Sequence, residues 1–507
     1  MFHNDFKRID WRACAESIVS TGIEGRAFID GRYCAAESGE TFAAVSPADG
    51  RVLTEVAAGD AADVEIAVAA ARRAFADGRW SRLSPARRKE MLLTLAHLIL
   101  DNRHQLALLE TLDMGKPIAD SIAVDVEATA RCFKWFAEAI DKVYGEVAPT
   151  AEDVRATITR EPLGVVAAVV PWNFPMIMAA WKLAPALATG NSVILKPAEQ
   201  SSLTALRLAA LAQEAGLPDG VFNVVPGTGV SAGRAAGLHP DIDGVFFTGS
   251  TDVGKYFLQY SGQSNLKKVG LECGGKSAHI ILDDCGSLDV AADAAAEAIF
   301  FNQGEMCNAG SRLIVHKAIK DRVLDRILSR MDVYRPGDPL DPATRMGALV
   351  DEAHTKRVLQ YIELGQAEGA RLVCGGRRAR QDSGGCFIEP TVFDGVRSNM
   401  RIAREEIFGP VLSVITVESA EEAVAVANDS VYGLAAAVWS DNVHTIHHIA
   451  RSLRAGMVYM NCYDMDDITV PFGGYKQSGI GRDKSLHALE KYTELKSSWM
   501  QLRNTGA

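Results

Sequence analysis

With 507 residues the chain has room for about two to four domains of roughly 100 to 200 residues, so a large buried core is open to it. Hydrophobic residues at 48% and charged residues at 23%, without any low-complexity tract, exclude a disordered or tail-like protein. The 53 Lys and Arg against 64 Asp and Glu leave a net charge of −11, which repels phosphate backbones and anionic headgroups and argues against nucleic acid or membrane partners.

The first residues carry Asp5, Lys7, Arg8, Asp10 and Arg12 where a secretion signal needs an apolar run, which points to the cytoplasm. Nine cysteines, with no C-x-x-C pair among them, suit reduced thiols and neither a disulfide framework nor a zinc site, so no metal is expected. Residues 63–75, 85–101 and 104–112 have amphipathic spacing, and the N-terminal portion is expected to be mostly helical. Residues 155–159 alternate polar and apolar side chains, as an edge strand does. The uncharged stretch 162–181 is nominally long enough to span a bilayer, but Pro171, Asn173 and Pro175 break it into strand, loop and helix.

From residue 163 the pattern is strand, helix, strand. Residues 163–170 form a buried strand, 176–188 a helix, 192–195 a strand, and 203–215 a helix capped by Ser201 or Ser202 and ended by Gly216. Strands follow at 221–225, 245–248 and 268–271. Five strands with crossovers make an α/β, doubly wound parallel sheet. A second α/β region follows Gly275, with strands expected at 279–282, 312–316, 411–416, 435–439 and 456–461. Residues 492–500 are rich in β-formers, and with 155–159 they are expected as edges seeking partners, which hints at oligomerisation.

Four local sequences carry chemistry. PWNFP at 171–175 sits at the carboxyl end of a strand, where open α/β sheets bind ligands, and Asn173 offers an amide donor to a developing oxyanion; Asn is also an ordinary turn residue. FTGSTDVGK at 247–255 leads a strand into a Gly-rich turn and a helix whose free N–H groups suit a phosphate. It has P-loop spacing, yet Tyr256 stands where a Ser or Thr must ligate Mg²⁺, and an NTPase reading loses its metal ligand. LECGGK at 271–276 presents Glu272 as a candidate general base or a plain strand-end carboxylate. FNQGEMC at 301–307 presents Cys307 in a Gly-flanked turn as a candidate nucleophile or a small buried hydrophobe, with no His nearby in sequence to activate it.

With FIDG at 28–31, LETLD at 109–113, GNSVILKP at 190–197, EEIFGP at 405–410 and PFGGYKQSG at 471–479, these motifs resemble the aldehyde dehydrogenase superfamily over nearly the whole chain. The tail GRDKSLHALEKYTELK at 481–496 resembles the subgroup that oxidises γ-glutamylaminobutyraldehyde and 4-guanidinobutyraldehyde in polyamine and arginine breakdown. The resemblance implies Cys307 as nucleophile, Asn173 with the Cys307 N–H as oxyanion hole, and Glu272 as the base that activates water on the thioester. It implies NAD held by Trp172, Lys196, Glu199, Gly249, Ser250, Glu406 and Phe408, with NADP weaker because the Glu199 carboxylate repels a 2′-phosphate. Phe174, Met178 and Trp181 are expected to line the aldehyde tunnel, with Met306 and Asn308 beside the nucleophile and the acidic loop 462–467, Asp464 foremost, able to hold a cationic end group. An aromatic aldehyde such as indole-3-acetaldehyde fits the same walls, and a cysteine hydrolase without nucleotide is the alternative of another class.

Two departures from the family pattern matter: Glu305 stands where many relatives carry Gln, and Cys273 where many carry Leu or Ala. A carboxylate turned toward Cys307 disfavours the thiolate, so Glu305 is expected to point away. The family architecture assigns 1–140 and 161–274 to NAD binding, 275–478 to catalysis, and 141–160 with 479–507 to an oligomerisation element, giving a homodimer or homotetramer. Asp113 and Gln200 match positions near a monovalent-cation site in some relatives.

Overall fold

The computed structural model describes residues 6–502; residues 1–5 and 503–507, at the two ends of the expected NAD-binding and oligomerisation segments, lie outside the described residues. The five expected strands form the centre of the first sheet: β1 (Val165–Val169), β2 (Ser192–Lys196), β3 (Phe222–Val224), β4 (Gly244–Thr248) and β5 (Lys268–Glu272). They lie parallel in the order β3-β2-β1-β4-β5. Every residue of β1, β2 and β4 is buried, as a parallel sheet covered on both faces requires. The sheet is mixed at its rims, where Ala27–Ile29, Arg32–Cys34 and Gly479–Ile480 add antiparallel strands.

Helix α1 (Pro175–Ala188) is buried on all sides, and α2 (Leu203–Glu214) follows β2. The expected Ser cap of α2 is corrected: Ser202 Oγ donates to the Ala198 carbonyl instead, and Asp113 Oδ2 accepts from the Leu203 N–H at 2.9 Å. A buried carboxylate from a distant helix thus meets a free N–H that a local serine was expected to meet. The N-terminal helices occur at Ala61–Ala76, Pro85–Asp101 and Arg103–Met114. Two hairpins accompany them, Ala27–Ile29 with Arg32–Cys34 and Thr41–Val45 with Val52–Ala57, so this portion is less purely helical than expected.

The second sheet contains β6 (Ala278–Ile281), β7 (Arg312–His316), β8 (Thr391–Asp394), β9 (Val411–Val417), β10 (Ala435–Trp439) and β11 (Met457–Met460), parallel in the order β8-β9-β7-β6-β10-β11. The expected strands are all present; β8 and the antiparallel edge Arg371–Cys374 are additions. The two leftover β segments find each other: Val154–Pro162 pairs antiparallel with Thr493–Gln501 from Pro162↔Thr493 to Val154↔Gln501, and Glu146–Ala148 completes three strands. Leu495, Trp499 and Met500 remain exposed on the outer strand. Among the described residues no helix is long and apolar enough to cross a membrane.

Candidate active site

The strand order of the first sheet reverses between β1 and β4, and the loops leaving the carboxyl ends of both open at that point. Loop 171–175 leaves β1, Lys196 ends β2, Gly249 and Ser250 follow β4, and Glu272 ends β5. Together with Cys307, Glu406 and Phe408 of the second α/β unit, the segments following β1, β4 and β5 enclose a cavity of about 380 Å³. Trp172, Asn173, Glu272, Cys307, Glu406 and Phe408 all face it.

Cys307 follows a short turn, Phe301–Gly304, in which Asn302 and Gln303 adopt φ of 47° and 58°. Left-handed backbone at two consecutive residues with a Cβ is uncommon and costs energy. Side-chain bonds hold it: Asn302 Nδ2 donates to the Asn173 carbonyl at 3.1 Å, and Gln303 Oε1 accepts from the Gly347 N–H at 2.9 Å. Asn173 Nδ2 donates one proton to the Glu305 carbonyl at 2.8 Å. The same amide carries a second proton. Glu305 is buried, and its Oε1 accepts from the Val350 N–H at 3.0 Å. Burial, then the Glu272 and Glu406 carboxylates, push the Cys307 thiol well above its ordinary value.

Glu272 is buried, and neither carboxylate oxygen has a hydrogen-bond partner. Burial, followed by Asp483, raises its pKa well above the carboxylate range. Gly473, at φ +156°, makes room for it, since a Cβ there would stand 2.6 Å from Glu272 Oε1. Behind Glu272 lies a buried ionic cluster in which Lys182 and Lys491 both pair with Asp483. Burial opposes the Asp483 charge, yet the two ammonium groups hold its pKa below the ordinary value. Sequence reading passed over Lys182, Asp483 and Lys491, because 301 positions separate Lys182 from its partner.

A ledge suited to a dinucleotide runs along the strand ends. Lys196 is buried, with Nζ 3.3 Å from Glu199 Oε2, and Glu199 Oε1 accepts from the Gly229 N–H at 2.7 Å. Both lie outside the cavity, on the same sheet edge. Ser250 caps the helix Thr251–Gln263, whose other first-turn N–H groups suit a phosphate. Glu406 Oε1 accepts from the Gly275 N–H at 2.9 Å, and a Cβ at Gly274 would fall 2.0 Å from Glu406 Oε2. Only glycine permits that approach. Burial pushes the Glu406 carboxyl up to about 7. Trp172 meets Phe408 edge to face at 5.2 Å, and His354 Nε2 donates to the Phe408 carbonyl at 2.6 Å. These groups fit NAD: hydroxyl acceptors at Glu199 and Glu406, amides for the pyrophosphate, and an aromatic wall for the ring.

On the opposite side Phe174, Met178 and Trp181 line the cavity, joined by Phe472 against Trp181 at 5.0 Å. Of the other expected substrate residues, Met306 packs in the core of the second α/β unit, and Asn308 Nδ2 donates to Asp464 Oδ1 at 2.6 Å. Asp464 is exposed as a residue, but desolvation of its carboxyl raises the pKa to about 6. Of its neighbours, Asp466 pairs with Lys484, while Asp467 Oδ1 accepts from Thr469. Gln200 turns to Asp351 at 3.1 Å, and burial pushes Asp113 up to about 8. Among the described residues there is no group of three or more His, Cys, Asp or Glu able to hold a metal ion.

The Aldehyde dehydrogenase family profile matches residues 33–498. The chain is 52% identical, over 487 residues covering 96% of it and 98% of the relative, to the NADP/NAD-dependent aldehyde dehydrogenase PuuC of Escherichia coli (strain K12). It superposes on an indole-3-acetaldehyde dehydrogenase complexed with NAD+ at a TM-score of 0.96 and 58% identity, covering 97% of this chain and 99% of that one. A gamma-glutamyl-gamma-aminobutyraldehyde dehydrogenase from Burkholderia cenocepacia J2315 gives 0.95 and 59%, with the same coverage. Match and geometry agree: the chain belongs to the aldehyde dehydrogenase family and is an NAD-dependent enzyme that oxidises aldehydes.

Proposed function

We propose that Cys307 attacks the aldehyde carbon and forms a thiohemiacetal. The second Asn173 amide proton and the Cys307 backbone N–H hold its oxyanion. NAD held on the ledge by Glu199, Ser250 and Glu406 would supply the hydride acceptor. The thioester left on Cys307 is hydrolysed by a water that Glu272 deprotonates, which releases the acid and the thiolate. The observation that carries this reading is the unpartnered Glu272 carboxylate sharing one cavity with Cys307 and Asn173. Lys196 and Glu199 take the adenosine ribose, Gly249 and Ser250 the pyrophosphate, Trp172 its surroundings, and Glu406 with Phe408 the nicotinamide side. Glu199→Ala is expected to raise the NADP to NAD ratio of kcat/KM by about tenfold, because a carboxylate facing a 2′-phosphate costs on the order of 1 to 2 kcal/mol; steady-state kinetics with both nucleotides check it.

The substrate we infer is an aminoaldehyde such as γ-glutamylaminobutyraldehyde or 4-guanidinobutyraldehyde, supported by the name of the Burkholderia cenocepacia relative and by the acidic loop beside Asn308. The aromatic walls and the indole-3-acetaldehyde relative favour a second reading. NADH formation across 4-guanidinobutyraldehyde, 4-aminobutyraldehyde, hexanal and indole-3-acetaldehyde separates them: preference for the charged members is expected, and a flat or aromatic profile removes the aminoaldehyde.

We also place the protein in the cytoplasm, where all nine cysteines, each free here, stay reduced. A homodimer or homotetramer built on the exposed Thr493–Gln501 strand, and the division into 1–140 with 161–274, 275–478, and 141–160 with 479–507, complete the proposal.

A further inference from the structure

We infer that Tyr463 and Asp464 are positioning residues for the nucleophile: together they clamp Asn308, the residue that follows Cys307, so that its backbone N–H faces the reacting sulfur. This rests on the reading of Cys307 as nucleophile and deepens it.

Asn308 is gripped at two points. Tyr463 Oη donates to the Asn308 carbonyl at 2.5 Å, and Asp464 Oδ1 accepts from Asn308 Nδ2 at 2.6 Å. Both grips come from one loop, and that loop is built to hold a shape. Asn461 and Asp464 have φ of 53° and 51°, left-handed backbone that costs energy where a side chain is present. Asn461 secures the first bend, accepting from the Ser440 N–H at 3.1 Å through Oδ1 and donating to the Ser440 carbonyl at 3.0 Å through Nδ2. The Tyr463 ring lies parallel to the His279 ring at 5.0 Å, and His279 in turn faces Trp439 at 6.1 Å. His279 is fully buried, and burial pulls its pKa down to about 3, so the stack is neutral. Gly310 completes the seat, since a Cβ there would stand 3.3 Å from the Tyr463 ring.

What is held bears on the chemistry. Before the nucleophile, the Glu305 carbonyl accepts from Asn173 Nδ2 at 2.8 Å, and the Cys307 carbonyl itself faces Gly275, where a Cβ would come within 2.5 Å of it. With Asn308 clamped, the segment is fixed on both sides of the thiol. Burial, then the Glu272, Glu406 and Asp464 carboxylates, oppose the Cys307 thiolate, and the hydrogen bond from the Asn308 N–H works the other way. A peptide free to turn would withdraw that donor and leave the sulfur among three carboxylates. Asp464 contributes both to the clamp and to the repulsion, whereas the Tyr463 hydroxyl contributes to the clamp alone.

The test follows iodoacetamide alkylation of Cys307 against pH, read by the mass of its peptide, and single-turnover NADH formation, in the parent enzyme, Tyr463→Phe and Asp464→Asn. Phe keeps the ring and its stack and removes only the hydroxyl, and melting curves show whether each variant is folded. Tyr463→Phe is expected to displace the alkylation profile upward by about one pH unit, the worth of one hydrogen bond to a charged group. Near neutral pH, single-turnover NADH formation should slow by about tenfold, following the thiolate fraction, with NAD affinity within about twofold. Asp464→Asn keeps an acceptor for Asn308 and removes a carboxylate, so its profile should stay or move downward. An unshifted profile in Tyr463→Phe, or upward shifts of equal size in both variants, overturns the inference. If Cys307→Ala still turns over aldehyde, the nucleophile reading itself fails; if it does not while Tyr463→Phe behaves as the parent, only the clamp fails.

Discussion

Cys307→Ala is expected to reduce aldehyde-dependent NADH formation by at least about a thousandfold, the scale of losing a covalent nucleophile, while NAD affinity stays within about twofold. The separation follows from where each function sits. The turn before Cys307 is held by Asn302 and Gln303, whose bonds run to Asn173 and Gly347 and do not involve the thiol. The ledge groups Lys196, Ser250 and Glu406 belong to other segments and keep their own partners. Removing one sulfur atom therefore leaves the nucleotide contacts standing. Turnover that survives in the alanine variant would sink the assignment of Cys307, and loss of NAD binding measured by calorimetry would show that the two functions are not separable here.

Glu272→Gln is expected to slow thioester hydrolysis by about 10² to 10⁴, the usual range for one general base, while a pre-steady-state burst of NADH persists. Because burial raises the pKa of Glu272, its base form is scarce at low pH and grows as pH rises. Deacylation in the parent should therefore climb with pH up to that raised pKa, by about tenfold per unit while the acid form predominates. In the glutamine variant this climb should vanish. The substitution is not expected to harm folding: both Glu272 oxygens lack partners, so the variant removes an ionisable group that is costly to charge. Stability follows the same sign: a carboxyl with a raised folded pKa costs stability as pH rises from the ordinary carboxylate pKa up to the raised value, beyond which the cost is constant, and Gln removes this dependence. Loss of the burst, or a pH profile unchanged by the substitution, would count against Glu272 as the base.

Much of the fold was legible because its signals are local. The runs at 165–169, 193–195 and 245–247 are continuous and apolar, as strands covered on both faces must be, and Pro and Gly follow soon after each. The short N-terminal hairpins were not legible, since Ala27–Ile29 spans only three residues and joins the sheet by pairing Phe28 with Val224, far along the chain. The cap of α2 escaped for the same reason: nothing near Leu203 announces Asp113.

By itself the sequence determined the doubly wound sheet and the chemistry on offer, a thiol, a carboxylate and an amide in Gly- and Pro-punctuated loops, because strand periodicity and turn chemistry act over a few residues. Only the tertiary structure decided that Glu272 stands without a partner beside Cys307, that Lys182 and Lys491 close on Asp483 behind it, and that Asp464 and Asp466 are already engaged by Asn308 and Lys484. Those facts depend on burial and on contacts between distant segments. Burial sets the cost of each charge and distance sets its partner, and neither is a property of neighbouring residues in the chain.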